Sequence, residues 1–266
     1  MIRDITLGQY YPADSALHRL DPRVKLIGTL IYVVSLFLFQ SFTGYLVASI
    51  FLVSLIIMSH VPLSFMLKGL RAIMILLVFT AVINTFLTPG RPLVAFGRFS
   101  ITIEGVRLAA FMVIRLVFLI VGSSLLTLTT TPSDLTDGLE KGLSFLKVFK
   151  VPVSEIAMMM SIALTFIPVL LEETDRIIKA QPARGADFDS GNIIRRVKAL
   201  VPILVPLFVS AFRRANELAL AMESRCYRGG QGRTKLHPLR YKKADIIAYL
   251  TLLVYIVAVV AVGLIF

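Results

Sequence analysis

Two arginines in this 266-residue chain stand between small neighbours. One is in Gln181-Pro182-Ala183-Arg184-Gly185, a short segment between two long helical stretches. The other is in Glu223-Ser224-Arg225-Cys226-Tyr227-Arg228-Gly229-Gly230, just before the second stretch stops. Small neighbours let a backbone approach a partner surface closely, and a guanidinium can then pair with a carboxylate through two parallel hydrogen bonds. The same pattern also fits an ordinary solvated arginine, since a base near a helix C-terminus is favoured in any case. Three-residue patterns alone favour the ordinary reading, because short motifs match often by chance.

No other constellation in the chain has the types and spacing of a catalytic site. GxxxxGK[ST], HExxH, GxSxG and CxxC are all absent, so the chain has no phosphate-cradling P-loop of its own. The single cysteine, Cys226, forms no internal disulfide and reads as a small packing residue on a helix stripe. Three histidines lack ligand spacing, and His60 and His237 stand beside helix ends without a partner in view. Gly229-Gly230-Gln231-Gly232 follows a helix rather than joining a strand to one, which makes it a helix stop and linker. Arg115 lies inside an apolar run, a costly placement that points to function by default, with Glu155 as a candidate partner. A structural ion pair explains it equally well. Gly44 and Ala48 form a small-xxx-small pair that suggests close helix approach.

The elements that must position these residues are set by composition. Apolar residues are 57% of the chain, charged residues 17%, and the mean hydropathy is +0.83. A soluble domain is about 45–50% apolar and 25% charged. Soluble enzymes, disordered chains and disulfide-stapled secreted domains are excluded. The formal charge of +12 would suggest nucleic acid in a soluble protein. Here it records topology and attraction to anionic headgroups, and no nucleic acid is expected. The fold class is an all-α integral membrane protein of about five transmembrane helices plus a cytoplasmic domain of long helices.

Five apolar runs approach the ~20 residues needed to cross the hydrocarbon: Val24–Phe39, Phe42–Ser59, Ala72–Leu87, Val106–Thr129 and Ala244–Phe266. Residues 1–25 are too polar for a signal peptide. With the N-terminus inside, the external segments hold only Arg91 and Arg98, with Arg107 at the edge of a span and Arg115 within one. The positive-inside rule therefore places the N-terminus in the cytoplasm and the C-terminus outside. Residues 1–129 form an N-terminal membrane region with four spans, 130–243 a cytoplasmic domain, and 244–266 a last span.

Thr130–Lys243 carries 18 Lys+Arg and 11 Asp+Glu, together with two semi-apolar stretches, Val151–Leu171 and Val197–Phe212. Two further spans there would export Arg176, Lys179, Arg184, Arg195, Arg196 and Lys198. Long helices that start at membrane depth and run into the cytoplasm avoid this. Ala211, Ala215, Leu218, Met222 and Cys226 form a stripe at helical spacing on the second of them. Before them, Thr131-Pro132-Ser133-Asp134 is a helix start. Leu135, Leu139, Leu143, Leu146 and Phe149 then line one face, with Lys141, Lys147 and Lys150 able to reach headgroups. That pattern predicts an interfacial helix lying flat on the membrane.

Over nearly its whole length the sequence resembles the transmembrane T component of energy-coupling factor (ECF) transporters, the EcfT family, related to CbiQ of cobalt transporters. The resemblance rests on Gly8, Tyr10, Pro12, Ser15, His18, Leu20-Asp21-Pro22-Arg23 and Lys25, on the paired X-Arg-X motifs at Arg184 and Arg225, and on Tyr227-Arg228-Gly229-Gly230 with Arg233-Thr234. Cys226 departs from the Gly or Ser that many members carry. The Arg-Cys-Tyr form is closer to the shared, multi-substrate type than to the dedicated cobalt type. The resemblance implies a non-catalytic subunit of an ATP-driven vitamin or trace-metal importer in the plasma membrane of a prokaryote. Ala183, Arg184 and Gly185, and Ser224, Arg225 and Cys226, would be its ATPase-coupling motifs. Two ABC-type ATPases would carry the ATP and Mg, with no cofactor in this chain, and a small membrane-embedded S component would bind the substrate. A conventional ABC permease or a stand-alone secondary transporter, which would itself form the substrate path, is the competing class. Internal repeats and several deep polar residues, expected of a secondary transporter, are absent.

Overall fold

The computed structural model describes residues 10–38, 42–96, 99–184, 193–229 and 238–265. Helices dominate: α1 (Pro22–Leu38), α2 (Phe42–Ser59), α3 (Leu63–Leu87), α4 (Ile103–Thr129), α5 (Pro132–Gly142), α6 (Val153–Ala180), α7 (Ile193–Ser224) and α8 (Lys243–Ile265). Two short 3-10 turns, Leu143–Phe149 and Pro182–Arg184, flank α6. The segment between α3 and α4 is an antiparallel ribbon of β1 (Pro92–Phe96) and β2 (Phe99–Thr102), with Phe96 opposite Phe99. The chain divides into two compact units, one running from Gly142 to Pro238, the other containing α1–α5, the ribbon and α8.

Helix starts follow local chemistry. Asp21 caps α1: its Oδ1 accepts the Arg23 N–H at 3.0 Å, with Pro22 in the first helical position. Thr102 Oγ1 accepts the Gly105 N–H at 3.0 Å to start α4, and Thr131 Oγ1 accepts the Asp134 N–H at 3.2 Å to start α5.

Among the described residues, four helical stretches are long and apolar enough to cross a membrane: Phe42–Ser59, Ile103–Thr129, Val153–Arg184 and Lys243–Gly263. A fifth arises from α3, which bends by 61° between Leu63–Arg71 and Ile73–Leu87. The bend falls where the apolar run begins, past Lys68 and Arg71. This set includes the expected runs Phe42–Ser59, Val106–Thr129 and, as far as Gly263, Ala244–Phe266, with Ala72–Leu87 in the bent α3. The run expected over Val24–Phe39 is α1 as far as Leu38, and Phe39 lies outside the described residues. Beyond the expected runs, α6 stays helical through Glu155 and across Pro168, and so passes the test of length and composition.

The core of the membrane unit joins α1, α2, α4 and α8 through Tyr32, Leu36, Tyr45, Ala48, Leu52, Val121, Leu125 and Tyr255. Gly44 and Ala48 lie on the buried face of α2, as their spacing suggested. Ser35 and Tyr255 share a 2.6 Å hydrogen bond between α1 and α8. Outward, α8 leaves Ile246, Leu250, Val254 and Val257 about 60% exposed, a surface suited to hydrocarbon. Within the bundle, Arg115 Nε donates to the Tyr45 hydroxyl at 2.9 Å, and its guanidinium lies over the Phe37 ring.

One tight contact between helices is at Gly122. A Cβ there would stand 2.5 Å from Tyr32 Cε1, and the ring is buried on all sides. Gly122→Ala is therefore expected to cost about 1–3 kcal/mol through overpacking. A lower midpoint for loss of the monodisperse peak after heating in detergent checks it. An unchanged midpoint removes this contact from the packing account.

Candidate functional site

The unit from Gly142 to Pro238 is built on α6 and α7. The predicted stripe faces α6: Ala211, Ala215, Leu218 and Met222 line a cleft of about 290 Å³ together with Ile162, Phe166 and Leu170. Beside it Arg214 Nη2 donates to Glu173 Oε2 at 3.2 Å, with both side chains about one-third exposed. Glu172 and Arg176 approach to 3.9 Å on the solvated face, a pair worth little. Cys226 does not complete the stripe. It lies beyond the end of α7, exposed, because the chain turns left-handed there.

Arg184 closes the 3-10 turn that follows α6. The Gln181 N–H returns to the Ile177 carbonyl at 3.0 Å and the Arg184 N–H to the Gln181 carbonyl at 2.9 Å, while Gln181 itself is buried. This anchors the backbone and leaves Pro182, Ala183 and Arg184 exposed. Gly185 lies outside the described residues, as do Gly8, Gly230, Arg233 and Thr234.

Arg225 is held by a different stop. Cys226 has φ 57°, its N–H reaches the Glu223 carbonyl at 2.9 Å, and the Tyr227 N–H reaches the Met222 carbonyl at 3.0 Å. These bonds form a Schellman cap with cysteine in the position that glycine favours. Ser224 ends α7 with its hydroxyl on the Ala221 carbonyl, and Ser224, Arg225 and Cys226 are all exposed. The residue after the second arginine is thus under a backbone constraint that favours glycine. Cys226→Gly should relieve the left-handed strain and raise stability by about 1 kcal/mol, read as a later thermal midpoint. A destabilised variant would mean that the thiol makes a contact that matters.

Each arginine therefore projects from its own fixed turn, directly after a long helix. Among the described residues neither side chain has an ion-pair partner in the chain.

The N-terminal motif does structural work that its residue types did not announce. The His18 ring hydrogen-bonds to Ser15 Oγ at 2.7 Å and to the Tyr11 carbonyl at 3.0 Å. Lys25 Nζ donates to the carbonyls of His18 and, on α4, Thr129. Asp21 takes Arg23 bidentately at 3.0 and 2.9 Å, and the guanidinium lies 4.0 Å above the Tyr241 ring. Burial pushes the Asp21 carboxyl up, but the side-chain and backbone donors of Arg23 outweigh it, and its pKa falls below the usual range. Burial pulls the His18 imidazole down, with the Lys25 charge in support, against its bond to the Tyr11 carbonyl.

One residue of this cluster escaped the sequence reading. Asp245, only 1% exposed, accepts the Asp21 N–H on Oδ1 at 2.8 Å and the Lys242 N–H on Oδ2 at 2.6 Å. It joins the start of α1 to the start of α8. The signal was an acid in the first turn of an apolar helix, where it can cap its own N-terminus.

Comparison with known proteins places these features. The CbiQ family, described as cobalt transport protein, matches residues 13–236. The chain is 54% identical over 247 residues to the energy-coupling factor transporter transmembrane protein EcfT of Ruminiclostridium cellulolyticum, covering 93% of this chain and 92% of that one. It is 55% identical over 258 residues to the protein of the same name from Clostridium kluyveri, covering 96% of each. The Bacillus subtilis protein of that name is 46% identical over 255 residues, again 96% of each.

Proposed function

Because this chain belongs to the CbiQ family and is a multi-pass transmembrane component of an energy-coupling factor transporter, we propose that it is the subunit coupling ATP hydrolysis to substrate uptake. Two ABC-type ATPases, which hold the ATP and Mg, bind Ala183-Arg184-Gly185 and Ser224-Arg225-Cys226. Each takes one arginine into a groove with acidic side chains. A small membrane-embedded S component binds a vitamin or trace metal and packs on this chain. ATP-driven closure of the ATPase pair moves the two tips, and α6 and α7 carry that motion to the S component. The chain is a non-catalytic subunit, with its N-terminus in the cytoplasm and its C-terminus outside.

The observation that carries this reading is the pair of exposed arginines, each on a hydrogen-bonded turn after a long helix and each without an ion-pair partner among the described residues. A partner's carboxylate can meet such a guanidinium without displacing an internal contact. Affinity purification of the chain from native membranes in mild detergent tests it. Two ATPase subunits and a small hydrophobic protein are the expected companions, and several alternative small proteins would indicate a shared module. A chain that purifies alone and still binds or moves a solute would favour a permease or secondary transporter.

A further inference from the structure

Between α5 and α6 the chain does not continue as one flat amphipathic helix. It breaks at Gly142, and the two halves have different environments. In α5, Thr136 and Gly138 are buried, and a Cβ on Gly138 would stand 2.9 Å from Pro22 Cβ, so that helix packs closely on the start of α1. The 3-10 turn Leu143–Phe149 has no buried residue at all.

Three residues per turn make side chains at i and i+3 eclipse. The turn therefore has three edges: Leu143, Leu146 and Phe149 on one, Phe145 and Val148 on the second, Ser144 and Lys147 on the third. Two edges are apolar. Phe145 is 60% exposed, Val148 84% and Phe149 74%. Lys150 then ends the turn in a left-handed conformation, φ 61°, its N–H on the Leu146 and Lys147 carbonyls and the Val151 N–H back on Leu146. A lysine thus occupies the stop that glycine favours. Among the described residues neither Lys147 nor Lys150 has an ion-pair partner. Immediately after Val151-Pro152 comes α6, which is apolar enough to enter hydrocarbon.

We propose that Leu143–Phe149 is a docking foot for the anionic bilayer surface. Phe145, Val148 and Phe149 enter the boundary between headgroups and acyl chains, and Lys147 and Lys150 take the phosphates of acidic lipids. A protein groove would suit the apolar edges equally. The two unpaired lysines, on a chain of formal charge +12, select a negatively charged lipid surface instead. This inference rests on membrane insertion and is independent of the ATPase contacts.

The chain contains no tryptophan, so Phe149→Trp introduces a single indole without background. The full-length variant is reconstituted into bilayers of zwitterionic lipid alone or containing phosphatidylglycerol. Emission and quenching by brominated acyl chains are then compared with quenching by aqueous iodide. The expected result is a blue-shifted indole quenched by brominated lipid, most strongly with phosphatidylglycerol present. Adding Lys147→Gln and Lys150→Gln should weaken the phosphatidylglycerol preference by about fivefold per lysine. An indole open to iodide in both bilayers overturns the proposal. So does one that neither iodide nor brominated acyl chains quench, which means a protein contact, and so does shielding indifferent to lipid charge and to both lysines. Phe145→Trp on the other apolar edge repeats the measurement if Phe149→Trp does not insert.

Discussion

Arg184→Glu combined with Arg225→Glu should remove the ATPase subunits from the purified complex and abolish uptake, while the membrane part melts as in the parent. Losing one partner of a desolvated charge pair costs about 2–5 kcal/mol. Placing a carboxylate against a carboxylate adds repulsion, so each reversal should weaken association roughly 100-fold or more. The membrane part is spared because both arginines are exposed and lack ion-pair partners among the described residues. If each tip engages its own ATPase, as proposed, single reversals should leave a partial complex. Arg→Lys at either position separates charge from geometry: lysine keeps the charge but loses the planar two-pronged donor. Co-purification stoichiometry and uptake in proteoliposomes are the readouts. Normal coupling in the double reversal would sink the role assigned to these arginines.

The second large effect is expected at Asp245. Its buried carboxylate satisfies two backbone N–H groups, Asp21 at 2.8 Å in a buried bond and Lys242 at 2.6 Å in a part-buried one. Asp245→Ala orphans both donors, at about 1–3 kcal/mol each. For a chain of this size the sum corresponds to a fall in melting temperature of roughly 10 °C. Asp245→Asn retains acceptor capacity and should lose about half as much. Size-exclusion after a heating series in detergent reads both. If Asp245→Ala melts with the parent, the clasp between α1 and α8 contributes nothing and the core alone holds them.

Some of this was legible from residue types and spacing, and some was not. The helix start at Thr131-Pro132 follows from cap chemistry, and the Ala211–Met222 stripe follows from a 3.6-residue period; both are where they should be. The membrane runs were readable because hydrocarbon imposes a length. The continuity of α6 was not, because its proline and glutamate look like interruptions until the structure shows that the helix continues through them. The ribbon at Pro92–Thr102 had a signal, two short apolar runs around Gly97-Arg98, that a search for helices passes over. At the candidate site, residue types located both arginines, but only the backbone explains Cys226. A left-handed residue is invisible in a sequence when the side chain is not glycine. Asp245 was hidden for another reason: its partner is 224 residues away.

That separation has a consequence for how the protein is made. At about 5–20 residues per second, the ribosome needs roughly 10–45 s after releasing Asp21 to deliver Asp245. For most of that interval α1 is already synthesised while the Asp21 N–H still lacks its Asp245 acceptor, and the whole stretch from Gly142 to Pro238 must emerge before α8 can close the bundle. The membrane bundle is thus completed only after the unit from Gly142 to Pro238 has been made, although its first helix precedes that unit. A nascent chain arrested just before residue 243 should therefore present the membrane insertion machinery with an open bundle, its α8-binding face still awaiting an occupant.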